Sequence, residues 1–342
     1  MIIVVSNLWP RAQFYERVTD ISAKLNDYRG DRVIDQYDKL FPIQTFQDVH
    51  RSENAQYAAK DERTDNNSEE FGGLSEGTIP FEVLRQYVFF TLVLRALLLR
   101  HASEVTGVVA YCSGIVPVLN AMTSEWCDEG VAQLSATLIG QLQQQDGMVT
   151  RNVCERDVVQ SVMRFTGAGW NPDDVRRRIA VAVGDGAYVT DVKAEDVVVI
   201  SGYRAKVEAS LLALRAQSPV AIDASRLVPH GGLHTPLAAP DRCLQQDGDP
   251  SWSVLCNGLA RTPLRLFTSA GEYFDPADGA DELERLVRAT FFKTVQSGQM
   301  TRTLQESGEQ RMFIGLPSVL LDMFVGTGLR PRRNEIVGPQ HI

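Results

Sequence analysis

The chain has 342 residues, 44% of them apolar, with a formal net charge of −9 and a pI near 5.2. That length suits one large α/β domain with an inserted lobe, and the acidity argues against nucleic acid as the main partner. Five cysteines, Cys112, Cys127, Cys154, Cys243 and Cys256, include no CxxC pair; an odd number without that pair argues against a disulfide framework or a thiolate zinc site, so a reducing, cytoplasmic setting and no metal are expected.

In chain order, Ile2–Val5 reads as a buried first strand, and MIIVVSNLWP lacks the basic start of a signal peptide. Arg11–Leu25 places Phe14, Val18, Ile21 and Leu25 at helical steps. Arg51–Gly73 is polar and charged, a solvated loop. Thr78–His101 contains a long apolar helix; Arg85 and Arg95 interrupt it, which makes it a buried helix and not a membrane span. Gly107–Tyr111 is a short strand, a corner follows, and helix-compatible residues resume at Ile115. Glu129–Gln143 forms another helix, and the polar run after Gln143 marks a lobe boundary. Val158–Phe165 predicts a helix, and a second runs from Asp173 to Ile179 with Asp173 and Asp174 in its first turn. Asp196–Gly202 is a buried strand and Ala205–Ala216 a helix. Ala221–Val228 leads into PHGGLHTPLAAP. Leu264–Thr268 is a strand, Asp281–Val295 and Leu316–Phe324 are helices, and RPRRNEIVGPQHI reads as a linker-like tail. Strands alternating with helices imply α/β with a mainly parallel sheet.

The corner AYCSG carries the first candidate chemistry. Ala110 and Gly114 stand two residues either side of Cys112, the frame that a strained strand-to-helix elbow requires around a nucleophile. The amide of Ser113 lies at the start of the next helix, free to hold an oxyanion, and the same helix terminus is expected to lower the thiol pKa. The plainer alternative is a small buried thiol. Ser113 is off-centre as a nucleophile, and its side chain is expected to cap the helix.

A cysteine nucleophile needs a base. Of the five histidines, His50 lies beside a polar loop, His101 ends a helix, and His341 is in the tail. His230 and His234 remain, in the proline- and glycine-rich RLVPHGGLHTPLAAP; this stretch either holds an imidazole over a site or is a surface loop.

The order of these pieces resembles the malonyl/acyl transferases of fatty-acid and polyketide synthesis over nearly the whole length. The matching stretches are VAYCSGIVP for the nucleophile elbow, VVVISGYRAKVEASLLAL for the end of an inserted lobe, RLVPHGGLHTPLAAP for the histidine loop, then LRLFTSAGEYFD and FIGLPSVLLDMF. The chain is most similar to the starter-unit acyl carrier protein transacylase domains of fungal non-reducing polyketide synthases, which carry cysteine in the elbow. The resemblance implies a hydrolase-like, parallel-sheet large lobe (1–148 and 230–342) and an inserted, smaller ferredoxin-like lobe (149–229), with 330–342 as the tail. It implies Cys112 as nucleophile and His234 as base, with His230 a loop or pocket residue. Ser113, Asn7 and Gly114 would serve the oxyanion and substrate. The partners implied are acyl-CoA, an acyl carrier protein with its phosphopantetheine arm and other synthase domains, with no bound cofactor, no nucleic acid and no membrane.

Three departures accompany it. The first elbow glycine is Ala110, the late glycine-proline is spread over Gly315-Leu316-Pro317, and the N-terminal GQ motif is missing, which leaves Asn7 as second oxyanion donor. The helix after the elbow, VAQLSATLIGQLQQQ, has no arginine to pair with a malonyl carboxylate, so an uncharged starter acyl chain is expected. Two rivals remain: a hydrolase-type thioesterase or esterase, and a catalytically silent scaffold that docks a carrier domain.

Overall fold

The computed structural model describes residues 1–6, 11–35, 79–123, 157–166, 171–217, 221–224, 227–229, 234–237 and 252–342. The loop expected at Arg51–Gly73, the helix at Glu129–Gln143 and the boundary after it lie outside these residues. In chain order come β1 (Ile2–Val5), α1 (Arg11–Leu25), α2 (Ile79–Arg100), β2 (Gly107–Ala110) and α3 (Ile115–Met122). Next are β3 (Val158–Thr166), α4 (Pro172–Val183), β4 (Ala187–Ala194), β5 (Val197–Tyr203), α5 (Arg204–Gln217), β6 (Ala221–Ala224) and β7 (Val228–Pro229). Last are α6 (Trp252–Ala260), β8 (Arg265–Thr268), β9 (Tyr273–Phe274), α7 (Ala280–Phe292), α8 (Ser297–Glu306), β10 (Arg311–Ile314) and α9 (Pro317–Phe324).

The first sheet has the order β10-β1-β2-β8-β9; all neighbours are parallel except β9, which is antiparallel at the edge. IIVV and GVVA are buried at every position, as strands covered on both faces must be. Ile3, Val5, Val108 and Ala110 face one core, against Phe14, Val18, Ile21 and Leu25 of α1 and Phe89 and Leu92 of α2. Ile2, Val4 and Val109 face the other, against Met300 and Leu304 of α8 and Leu320 and Phe324 of α9. The strand period of two divides the cores, and the four α1 residues that its spacing singles out, Phe14, Val18, Ile21 and Leu25, are all buried.

The second sheet is antiparallel, in the order β4-β5-β3-β6, and its chain order is βαββαβ. Val159, Met163 and Phe165 pack on Val175 and Ile179 of α4 and on Val207 and Leu211 of α5. Val158–Phe165 is thus a strand, not the helix expected. Its apolar residues fit either period, but β5 and β6 pair with it on both sides and take the backbone groups that a helix would bond internally. α4 starts as its first-turn acids suggest: Asn171 accepts from the Asp173 and Asp174 amides, and Pro172 opens the turn. β5 reaches Gly202, where an added Cβ would stand 2.1 Å from the Gly186 carbonyl oxygen and 2.7 Å from Ala187 Cα. Gly202→Ala is expected to cost about 3 kcal/mol or more, seen as a lower denaturant midpoint. A midpoint equal to wild type would show that β4 and β5 part there freely.

α7 stops at Phe292, short of the Val295 expected, and the released residues stitch the sheets together. The Val192 amide donates to the Val295 carbonyl at 2.9 Å, the Val295 amide to the Thr190 carbonyl at 2.8 Å, and Thr294 Oγ1 to the Val189 carbonyl at 2.9 Å. The final residues, expected as a linker-like tail, are packed: Ile336 bridges to Phe313 and Ile342 is buried in the α1–α2 core. Among the described residues no helix is long and apolar enough to cross a membrane.

Candidate active site

The site begins where β2 ends. Tyr111 is still extended, with φ −96° and ψ 117°, and Cys112 then turns into the left-handed region with φ 49°. Residues 112–114 make one tight turn before α3. A non-glycine residue held at positive φ is strained, and the surrounding contacts hold it. The Cys112 amide donates to Ser269 Oγ at 3.0 Å, and the Gly114 amide to the Tyr111 carbonyl at 2.9 Å. A Cβ on Gly114 would lie 2.7 Å from the Ser6 carbonyl oxygen and 2.9 Å from that of Val5. Gly114 therefore contributes space against the end of β1; its amide is already engaged by Tyr111. The Ala110 methyl, where the resemblance expects glycine, sits in the α1–α2 core.

His234 comes to this corner from 122 residues away in sequence, with its Nε2 3.4 Å from Cys112 Sγ. It too has positive φ, 61°. Its Nδ1 lies 3.1 Å from the Lys293 carbonyl oxygen. A carbonyl only accepts, so Nδ1 carries the proton and Nε2 keeps its lone pair toward the thiol. The pair is arranged as acid and base.

Electrostatics favours neutral partners at rest. Burial pushes the Cys112 thiol up to about 11, partly offset by the neighbouring Ser113 amide. Burial likewise pushes the His234 imidazole down to about 4, with the Lys293 carbonyl pulling the other way. This corrects the expectation that the helix terminus lowers the thiol pKa: Cys112 is only 8% exposed, and desolvation of the thiolate outweighs one amide. No side chain caps the turn or α3, so Ser113 contributes its amide and not a cap.

A cleft of about 560 Å³ opens onto His234, lined on one side by Arg176, Ala187 and Tyr188 of the second sheet's layer and on the other by Glu272, Lys293 and Gln296. Of the other candidates, Asn7, His50, His230 and the VAQLSATLIGQLQQQ stretch lie outside the described residues. His101 approaches Glu104 and His341 accepts from the Gly338 amide, each apart from the dyad. Among the described residues no group of three or more His, Cys, Asp or Glu side chains could hold a metal ion. Sequence reading missed Ser269, whose only signal was its place just past β8, and Lys293, which acts through a carbonyl that any residue supplies.

No protein-family model matches the sequence, and a search of curated proteins finds no relative. Solved structures do match. MCAT from Streptococcus pneumoniae superimposes with a TM-score of 0.55 at 13% identity, over 96% of this chain and 92% of that one. A malonyl-transacylase solved in complex with its type II polyketide synthase acyl-carrier protein gives 0.54 at 12% identity, over 98% and 93%. The acyltransferase domain from the second module of the salinomycin polyketide synthase gives 0.52 at 14% identity, over 98% and 67%. The chain has the α/β fold, with its parallel-strand sheet, that these transacylases and acyltransferase domains share.

Proposed function

We propose that this chain is an acyltransferase that loads a starter acyl group from a thioester donor, an acyl-CoA or an acyl carrier protein, onto a carrier protein's phosphopantetheine arm through a thioester on Cys112. The observation that carries the reading is the 3.4 Å approach of Cys112 Sγ to His234 Nε2 on a left-handed elbow. Its support is the fold shared with acyl-carrier-protein transacylases, together with the likeness of AYCSG and RLVPHGGLHTPL to the starter-unit domains. On this reading the βαββαβ unit is a ferredoxin-like lobe, 149–229, inserted into a hydrolase-like large lobe, and further synthase domains are partners.

In the first half-reaction Cys112 sulfur attacks the thioester carbonyl as its proton passes to His234 Nε2. The Ser113 amide, in the turn that leads into α3, steadies the developing oxyanion. Collapse breaks the donor's C–S bond, and the departing thiolate takes the proton back from His234. In the second half the pantetheine thiol gives its proton to His234, attacks the acyl-cysteine, and Cys112 leaves as the thiol. The Lys293 carbonyl steadies the imidazolium throughout. Cysteinyl and donor thioesters lie close in free energy, so transfer runs in both directions. The arginine-free stretch after the elbow favours an uncharged acyl chain, since an unpaired buried carboxylate is costly.

The test is incubation with a panel of acyl-CoAs, followed by intact mass and by transfer to a holo carrier protein. One acyl mass per chain, lost when the carrier is added, is the expected result. Steady hydrolysis of acyl-CoA with no carrier present would mark a thioesterase instead, and no adduct from any donor would mark a silent scaffold.

A further inference from the structure

Beside the dyad lies a buried polar cluster that neither the elbow nor the histidine loop explains. Tyr111, which precedes the nucleophile, has its hydroxyl 3.2 Å from Ser297 Oγ and 3.5 Å from Asp191 Oδ2. Ser297 Oγ donates to Asp191 Oδ2 at 2.8 Å, and the Ser297 amide reaches Oδ1 at 3.3 Å. Lys193 Nζ stands 3.2 Å from Asp191 Oδ2 and donates to the carbonyls of Asp322 and Met323 at 3.1 and 3.0 Å. All four side chains are buried.

A buried ion pair is a poor device for stability alone, because desolvation offsets much of its attraction. Its placement does something more specific. The register of β4 against β5 slips between Val189 and Asp191 and again between Val192 and Ala194, so one irregularity falls just before Asp191 and the other at Lys193. Irregularities of this kind re-aim side chains. Here they accompany a carboxylate and an ammonium directed away from the second sheet's own core, onto α8 and α9. Asp191 grips Ser297 through both oxygens. Ser297 closes a five-residue stretch that opens with Lys293, whose carbonyl holds His234. Within that stretch the Gln296 amide donates to the Ser269 carbonyl at 2.7 Å, and Ser269 Oγ in turn receives the Cys112 amide. Residues 293–297 thus touch the supports of both halves of the dyad, and Asp191 anchors them to the second sheet.

We infer that Asp191, held by Lys193, is a positioning residue: through Ser297 and Tyr111 it docks β4 against the elbow and sets the approach of Cys112 Sγ to His234 Nε2. The inference rests on reading Cys112 and His234 as a reacting pair. A probe that needs no acyl donor separates the two ideas. Iodoacetamide alkylates a cysteine by forming an S–C bond as C–I breaks, iodide leaves, and the thiol proton passes to the base. The rate at Cys112 is followed by intact mass on the full chain, with Cys112→Ala giving the background of the other four cysteines.

Tyr111→Phe removes one hydroxyl and keeps the ion pair. It is expected to slow alkylation roughly 5–10-fold, the scale of a sub-ångström misplacement, with an unchanged melting temperature. Asp191→Asn is expected to slow it further but strands Lys193, so Asp191→Asn/Lys193→Met accompanies it; the double variant should regain melting temperature and stay slow. Wild-type rates in Tyr111→Phe and in the double variant would overturn the inference, as would rate losses that merely follow losses in melting temperature. His234→Ala is the control. If it alkylates at the wild-type rate, the dyad itself fails and the proposed transfer with it; if it is slow while the cluster variants are not, only the positioning role falls.

Discussion

Cys112→Ala is expected to abolish acyl labelling and to lower transfer to a carrier protein by roughly 10³-fold or more, since no covalent intermediate can form. The loss should come without a stability penalty that would explain it away. The thiol is almost buried, but the methyl of alanine keeps the Cβ, and the amide bond to Ser269 Oγ remains. Cys112→Ser sharpens the test. An oxygen ester lies below a thioester in free energy, so this variant should accept an acyl group, hold it and pass it on slowly. Stoichiometric labelling of Cys112→Ala would remove the sulfur from the chemistry altogether.

His234→Ala should lower acyl loading by roughly 10²–10⁴-fold, the usual contribution of a positioned general base. The pH profile carries the finer information. With the imidazole pushed down to about 4 and the thiol up to about 11, the working form is neutral thiol beside neutral imidazole. The base is lost only as pH falls through about 4, so the loading rate should stay level through neutral pH and drop on the acid side. A preformed thiolate–imidazolium pair would do the reverse and lose activity as the imidazolium deprotonates on raising the pH. Stability carries the same sign. Between pH 6.5 and about 4 the unfolded chain binds the histidine proton and the folded one does not, so the fold weakens as pH falls through that window. His234→Ala should flatten that dependence in a denaturant titration, and a bell centred near pH 6 for wild-type loading would contradict the neutral pair.

Much of the architecture could be read from local pattern because one local force decided it. IIVV and GVVA are too short and too apolar to be anything but strands covered on both faces, and α1 buries the four residues that its spacing singles out. The elbow was legible for a similar reason: Gly114 is demanded by backbone within 3 Å, a constraint that leaves a glycine in the sequence. Where the deciding partner is far along the chain, pattern failed. Val158–Phe165 has apolar spacing that suits a helix and becomes a strand because β5 and β6 flank it. β4 is not singled out by local pattern at all: Thr190, Asp191 and Lys193 in its middle find their hydrogen-bond partners in Ser201, Ser297 and the end of α9.

The sequence by itself determined the α/β class, the sharp corner at Cys112 and the short list of histidines that could serve it, since each follows from side-chain period or backbone sterics within a few residues. Only the tertiary structure decided that His234 meets the sulfur, that Lys293 and Ser269 hold the pair, and that the thiol is raised and not lowered. Those outcomes depend on distance and on the exclusion of water, and both are set by segments 59 to 157 residues apart.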